Sequence, residues 1–374
     1  MKSVFYIDPQ SGDNLAMYDY ELISRIKDIN ISYICSASYD YKELDNATYI
    51  PLFNYTRKRN SIKKALSYCL SLFKLLKRIK RNRPQILHIQ WFKMPTVDYI
   101  FYRYVKNKYN TKIIHTAHHI LPHISNKGDY NRYSRLYKIC DEIITHTSQS
   151  KSELHKQFHI NDNNIIVAPH GPLKYDISKY EIDAKIVELK NEFKISATYI
   201  ASLLGYQSIY KGTDLAIEAW KESNELTDNQ DICLIVAGQN RDYKSSNIPN
   251  SNIIIINRKL SDVEFAALLR MTSLMVMPYR RIDQSGLLLT IIEENIPYCA
   301  TDVGELSKPL EIGDIGWRIN DITKSNVQST LEEIFRNPSA LDYKKNQSIT
   351  WKRIKELYSW DYAAKVTSDI YNEL

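Results

Sequence analysis

Leu274-Met275-Val276-Met277-Pro278, Asp283-Gln284-Ser285-Gly286-Leu287-Leu288-Leu289-Thr290-Ile291-Ile292-Glu293-Glu294 and Pro297-Tyr298-Cys299-Ala300-Thr301 together decide the fold of this chain. The apolar run before Pro278 reads as a buried strand. Ser285-Gly286 then opens an apolar-periodic segment, as a helix N-terminus does. A second strand signal follows at 297–301, with Asp302-Val303-Gly304 after it. Strand, glycine-opened helix and strand make a parallel α/β unit. Its carboxyl edge offers an anion site, because a helix start carries free N–H groups. Taken alone, the stretch serves equally a tight turn that needs a glycine at position 286.

The same alternation extends toward both ends. Strands are expected at Ser3 to Ile7, Ile31 to Cys35, Ile86 to Gln90, Lys112 to Thr116, Glu142 to His146 and Ile165 to Ala168. A polar, low-signal stretch from about Lys174 to Ser196 separates the halves. Alternation resumes with strands at Tyr199 to Leu204, Ile232 to Ala237 and Asn252 to Ile256, and with helices at Thr213 to Trp220 and Ser261 to Met271. Nearly unbroken apolar runs separated by helices are the pattern of a parallel sheet covered on both faces. The expected fold class is α/β, with two Rossmann-like doubly wound domains facing a cleft. They cover residues 1–185 and 186–355, and residues 356–374 form a last helix with Ala363, Val366, Ile370 and Tyr371 at helical spacing.

The 374 residues suffice for two domains, and 44% hydrophobic with 25% charged residues is a soluble, globular composition. No run of about 18 uncharged apolar residues is present, so a spanning helix is not expected. Met1 to Asp8 reaches an acidic residue too early for a secretory signal. The five cysteines show no CxxC spacing, which suits buried free thiols in a reducing compartment, and the expectation is a cytoplasmic protein.

Net charge is +7, but its placement is more informative: Asn46 to Val97 holds no Asp or Glu. Between residues 57 and 83 basic residues, among them Arg57, Lys63, Lys74, Lys77, Arg78 and Arg83, alternate with Leu66, Leu70, Phe73, Leu76 and Ile79 at three- and four-residue steps. Such an amphipathic basic helix can lie on an anionic membrane surface, here the inner face of the cell membrane. A packed helix with a solvated lysine-rich face is the plainer reading of the same pattern. Nucleic acid is not expected as a partner, since no stacking platform or binding motif accompanies the charge.

Three glycine turns follow strands of the second half. Gly205-Tyr206-Gln207-Ser208-Ile209-Tyr210-Lys211-Gly212 is one, Ala237-Gly238-Gln239 another, and Ser285-Gly286 the third. Gly205 lets a backbone approach a ligand, and Lys211 can reach a diphosphate as a mobile charge. Together they suggest a bound nucleotide. Neither GxGxxG nor GxxxxGK[ST] occurs, which argues against dinucleotide dehydrogenases and P-loop enzymes. In the first half, His88, His115, His118, His119, His123, His146 and His170 cluster near strand ends. No HExxH, cysteine cluster or Asp-x-Asp pair accompanies them, so no metal is expected.

With these motifs in order, the chain resembles a family 4 glycosyltransferase with the GT-B fold, of the type that assembles bacterial surface polysaccharides. Gly205 to Gly212 is similar to the family's donor-phosphate segment. Gln284-Ser285-Gly286-Leu287-Leu288, with Pro297 and Ala300 to Gly304, looks like the variant donor loop of a polysaccharide-assembling subgroup. Thr116-Ala117-His118-His119-Ile120-Leu121-Pro122-His123, His88 to Trp91 and Pro169-His170-Gly171 resemble that subgroup's first domain, and Trp360-Asp361 the segment where the last helix crosses back onto it. Two positions depart. Ser208 stands where the family has an arginine, and its paired glutamates map to Asp283 and to Thr290.

The resemblance implies a retaining, metal-independent, cofactor-free transfer of a sugar from a nucleotide-diphosphate donor to a lipid-linked glycan. It assigns Lys211, His118 and Asp283 to catalysis. Gly205, Ser208, Tyr210, Gly238, Arg258, Ser285, Gly286, Leu287, Leu288 and Thr290 fall to the donor, Arg258 through a base-gripping segment at Asn257 to Leu260. Gly12, Trp91, His119 and His170 fall to the acceptor side. Two other readings share the fold: a non-catalytic protein that binds sugar nucleotides, and an epimerase that acts on the donor alone.

Overall fold

The computed structural model describes residues 1–55, 60–121, 128–172, 177–242, 252–282 and 285–374. The chain divides into two units, Met1–Leu173 with Tyr358–Leu374, and Lys174–Leu357. The first holds strands β1 (Lys2–Ile7), β2 (Ile29–Ser36), β3 (Ala47–Phe53), β4 (Ile86–Ile89), β5 (Lys112–Ala117), β6 (Glu142–Thr145) and β7 (Ile165–Val167). They pair in parallel in the order β3-β2-β1-β4-β5-β6-β7. The second holds β8 (Tyr199–Leu204), β9 (Ile232–Ala237), β10 (Ile253–Ile256), β11 (Leu274–Met277), β12 (Tyr298–Thr301) and β13 (Gly316–Ile319). Their order is β10-β9-β8-β11-β12-β13, again parallel.

Each unit is therefore Rossmann-like. The chain winds outward from β1 or β8, returns, and continues on the other side through β4 or β11. Ligands of such sheets bind at the carboxyl ends of the strands where the winding reverses. In the second unit that point lies between the loops after β8 and β11, which carry Lys211 and Gly286. In the first it lies between the loops after β1 and β4, which carry Gly12 and Trp91. Every residue of β9, β11 and β12 is buried, as central strands covered on both faces require.

Three departures from the sequence reading have physical causes. The edge strand β3 carries Pro51, whose missing N–H is tolerated only at an edge and masks the strand signal. The stretch from Lys174 to Ser196 is no mere separator, because Lys179–Glu192 is a helix started by a reciprocal Ser178/Glu181 capping box. Only Leu189 of that helix is buried, so no apolar stripe announces it. It packs on the helix Asp262–Met271, with Asp183 bridged to Arg270 at 3.1 Å. The first boundary therefore falls at Leu173 rather than at residue 185.

The third concerns the basic helix, Ser61–Asn82, whose start is capped by the Asn60 side chain. Tyr68, Ser71, Leu72, Leu75 and Ile79 are its buried face, packed toward β3 and the helix Pro95–Tyr109. Leu66, Leu70 and Phe73, expected in one stripe with Ile79, are 61%, 63% and 56% exposed, and Ile62 is exposed beside them. The helix thus carries two apolar stripes, one inside and one in solvent. At the other end of the chain, the helix Trp360–Glu373 buries Ala363, Ala364, Ile370 and Tyr371 in the core of the first unit. The Trp360 indole N–H donates to the Pro172 carbonyl at 2.9 Å.

Candidate functional site

Three loops of the second unit are locked into one frame. Gly238 has φ +134°, and a β-carbon there would run into the Gly205 carbonyl. The buried Gln207 amide donates to the carbonyls of Gly205 at 2.8 Å and Ala237 at 3.1 Å, and accepts from the Thr213 hydroxyl at 2.9 Å. Gly212, with φ +70°, lies against the Pro278 carbonyl after β11. Arg280 closes the frame with two hydrogen bonds to the Asp214 carboxylate, at 2.6 and 2.5 Å, while its backbone N–H donates to the Tyr210 carbonyl at 2.7 Å. No sequence pattern announces this fork.

Lys211 sits inside the frame. Its Nζ lies 5.6 Å from the centre of the Tyr279 ring and 3.4 Å from the place a Gly205 β-carbon would occupy. Burial, and then the charge of Arg241, push its ammonium down to about 8. The Tyr279 carbonyl accepts from the Thr301 hydroxyl at 2.6 Å. Ser285 stands before the helix Gly286–Glu293 without capping it. Gly286 has no positive φ, and a β-carbon on it would meet nothing within 4 Å among the described residues. Neither a strained turn nor packing requires glycine there. A helix start also carries free N–H groups.

The remaining donor-side residues fall into distinct settings. Leu288 is buried and Leu287 half-buried, so their backbone N–H groups, not their side chains, are what they can offer. The Thr290 hydroxyl donates to the Gly286 carbonyl at 2.9 Å, inside the helix. Tyr210 is half-buried with its ring 6.5 Å from that of Tyr279. Ser208 is buried with no partner for its hydroxyl among the described residues. Arg258 is bound to Glu264 at 2.6 Å, and Glu264 also caps the Ser261 N–H at 2.9 Å. That guanidinium therefore serves a helix start. Asp283 and Gln284 lie outside the described residues.

In the first unit, successive strand ends deliver Gln90 and Trp91 after β4, His118 after β5, His146 after β6 and His170 after β7. Trp91 stacks on His118, 4.7 Å between ring centres and 10° between planes, and its buried indole N–H has no partner among the described residues. His118 Nε2 lies 3.0 Å from Gln90 Oε1, its Nδ1 lies 3.2 Å from His146 Nε2, and His146 Nδ1 lies 2.9 Å from the Ala168 carbonyl. These three contacts need three protons, and two neutral rings carry two. A third proton would complete the chain. Against it, burial first and then the neighbouring His146 and His170 hold His118 well below the usual histidine range. The neutral pair is the resting form near pH 7.

Tyr18 lies 4.8 to 5.7 Å from the rings of His118, His146 and His170, and His170 stacks on Trp360 at 5.3 Å. His119 is exposed, 6.0 Å from Trp91. Gly12 is extended at φ −158° and precedes the helix Asp13–Ile23 at the end of β1. Lys93, which sequence reasoning missed, holds its ammonium 5.7 Å from the Trp91 ring. Burial pushes it down to about 8 against the opposing pull of Asp8 and Asp98. His88 and His115 are structural. His88 bonds Tyr371 and Thr116, and His115 bonds the Ile89 carbonyl. His123 lies outside the described residues, and among those described no group of three or more His, Cys, Asp or Glu could hold a metal ion.

Residues 31–171 match the family model described as Glycosyltransferase Family 4. No curated protein sequence matches the chain. Solved structures match over its length. Sucrose-phosphate synthase from Thermosynechococcus elongatus has a TM-score of 0.68 at 12% identity, covering 100% of this chain and 99% of that one. HepE from Anabaena, in complex with UDP and glucose, has a TM-score of 0.66 at 9% identity, covering 100% of both. WaaG, a glycosyltransferase involved in lipopolysaccharide biosynthesis, has a TM-score of 0.60 at 13% identity, covering 98% of this chain and 99% of that one. At such identities the likeness is one of fold.

Proposed function

We propose that this chain is a family 4 glycosyltransferase of GT-B fold that transfers a sugar, with retention of configuration and without a metal ion, from a nucleotide-diphosphate donor to a lipid-linked glycan. The observation that carries the reading is that Lys211 and the start of the helix Gly286–Glu293, where packing does not require the glycine, stand on loops flanking one sheet reversal. As the sugar leaves, negative charge builds on the diphosphate. A lysine and backbone N–H groups fixed in advance stabilise that charge without rearranging. Asp283 holds sugar hydroxyls, and His118 with Trp91 seats the acceptor. HepE binds UDP, which makes UDP-sugars the first donors to try.

The acceptor's lipid and a role in surface polysaccharide assembly are supported by the helix Ser61–Asn82. Its exposed Ile62, Leu66, Leu70 and Phe73 lie among lysines, the composition of a surface that enters an anionic headgroup layer. A groove of about 840 Å³ between that helix and β3 is lined by Lys74, Lys77, Arg78 and Arg81. Among the described residues no helix is long and apolar enough to cross a membrane, so attachment would be at its surface.

A panel of UDP-, GDP- and ADP-sugars tests the donor reading by thermal shift, since a ligand that binds the folded state raises its apparent stability. One nucleotide class should stabilise the protein and be turned over with a glycan acceptor. Stabilisation by none would remove the reading, and conversion of donor without acceptor would replace it with an epimerase. Flotation with anionic vesicles tests the surface. It should fail when Lys74, Lys77 and Arg78 are neutralised.

A further inference from the structure

Lys211 is not the only cation in the frame. Arg241, four residues beyond β9, lies near enough for its charge to depress the lysine's. Its position is built rather than incidental. The Arg241 N–H donates to the Gln207 carbonyl at 3.0 Å, and the Gln207 N–H donates to the Gln239 carbonyl at 3.0 Å, so the loops after β8 and β9 form a short parallel bridge. The next residue, Asp242, accepts the Ile209 N–H at 2.8 Å. The guanidinium carbon then lies 4.0 Å from the centre of the Tyr206 ring, which sets its direction as well as its place.

Arg241 makes no ion pair with a carboxylate among the described residues, Asp242 included, while Arg258 and Arg280 each hold one. Two cations on neighbouring strand-end loops make a local positive potential that favours an anion there. Ser208, in the same loop as Lys211, cannot contribute charge and is buried. A diphosphate bears negative charge on both phosphates, which a point-charge lysine and a planar, forked guanidinium can divide between them.

We propose that Arg241 is the second cation of the donor's diphosphate site, supplying from the loop after β9 the charge that Ser208 does not, with Tyr206 as the residue that positions it. This rests on the reading of Lys211 as a donor ligand. A nucleoside monophosphate, ending one phosphate earlier, gains little from Arg241.

The test compares UDP and UMP, with the GDP/GMP and ADP/ADP-free AMP pairs alongside, by calorimetry on the unaltered protein, Arg241→Ala, Arg241→Lys and Tyr206→Leu. Arg241→Ala should weaken the diphosphate about tenfold to a hundredfold and the monophosphate by less than about threefold. Arg241→Lys should recover part of the loss, and Tyr206→Leu should show a smaller loss with the same bias toward the diphosphate. Unchanged diphosphate affinity in Arg241→Ala, or equal weakening of both nucleotides, would overturn the assignment and leave Lys211 in place. If the unaltered protein binds no nucleoside diphosphate, the donor reading itself fails, and this inference with it. Matching thermal melts exclude misfolding as the cause of any loss.

Discussion

Gly238 lies against the carbonyl of Gly205 with no room for a β-carbon between them, and this contact holds the loops after β8 and β9 together. Gly286, on the other side of the same sheet reversal, has open space where its β-carbon would go. Two glycines of one site therefore answer to different demands. Gly238→Ala, which adds a backbone clash to an unfavourable φ, should destabilise the second unit by about 3 kcal/mol or more. Gly286→Ala should change stability by less than about 1 kcal/mol yet weaken nucleoside diphosphate binding. Urea unfolding with calorimetry separates the two, and full affinity in Gly286→Ala would take the helix start out of the phosphate site.

Trp91 stacks on His118 in the first unit, where the proposed reading seats the acceptor. Trp91→Leu removes the stack and the buried indole N–H while keeping an apolar side chain. Aromatic stacking is worth about 0.5–1.5 kcal/mol, so kcat/KM for the acceptor should fall about two- to tenfold or more while donor affinity stays the same. A matching loss of donor affinity would argue that Trp91 acts elsewhere.

Lys211 titrates at about 8 without ligand, through burial and then the charge of Arg241. Below that pH it carries the charge that the proposed diphosphate contact needs, and above it the charge is lost. Donor affinity measured from pH 6 to 10 should therefore hold steady and then decline above about 8. In Arg241→Ala, where the repulsion is gone, the decline should begin at higher pH. A flat profile to pH 10 would mean that Lys211 contributes no charge to binding.

Asp8 and Asp19 form a buried carboxyl pair behind Gly12, with Asp19 accepting from the hydroxyls of Tyr6 at 2.8 Å and Tyr33 at 2.6 Å. Burial pushes Asp8 up to about 6. An unfolded aspartate loses its proton near pH 4 (~3.9), so between about 4 and 6 the folded state binds more protons than the unfolded one. Stability from this group is present at low pH and is lost as pH rises through 6. Asp8→Asn should remove that loss, stabilising the protein at pH 7 by on the order of 1–3 kcal/mol with little change at pH 4. Unfolding midpoints that respond equally at both pH values would exclude the buried proton.

The alternation of apolar runs and helices made both parallel sheets legible, because central strands buried on both faces need unbroken apolar sequence. What escaped were elements without such a signature: the edge strand with Pro51 and the helix Lys179–Glu192, which buries only Leu189. Of the candidate residues, Lys211 and Gly286 in the second unit and His118 and Trp91 in the first could be named because glycine turns and histidines stand out at strand ends. Arg241 and Arg280 could not. Their roles depend on loops that meet in space, and only the clasp of Gln207, Gly205 and Gly238 brings Arg241 to the lysine. Exposed Leu66, Leu70 and Phe73 show the converse error, since helical spacing does not say which of two apolar stripes faces the core.

The central claim is that Lys211 neutralises the departing diphosphate, and donor turnover by Lys211→Ala tests it most directly. Removing one preorganised donor to developing charge typically costs about 10²–10³ in rate. A loss of that size in kcat, with a thermal melt like that of the unaltered protein, is expected. Turnover and nucleotide affinity both unchanged in Lys211→Ala would contradict it.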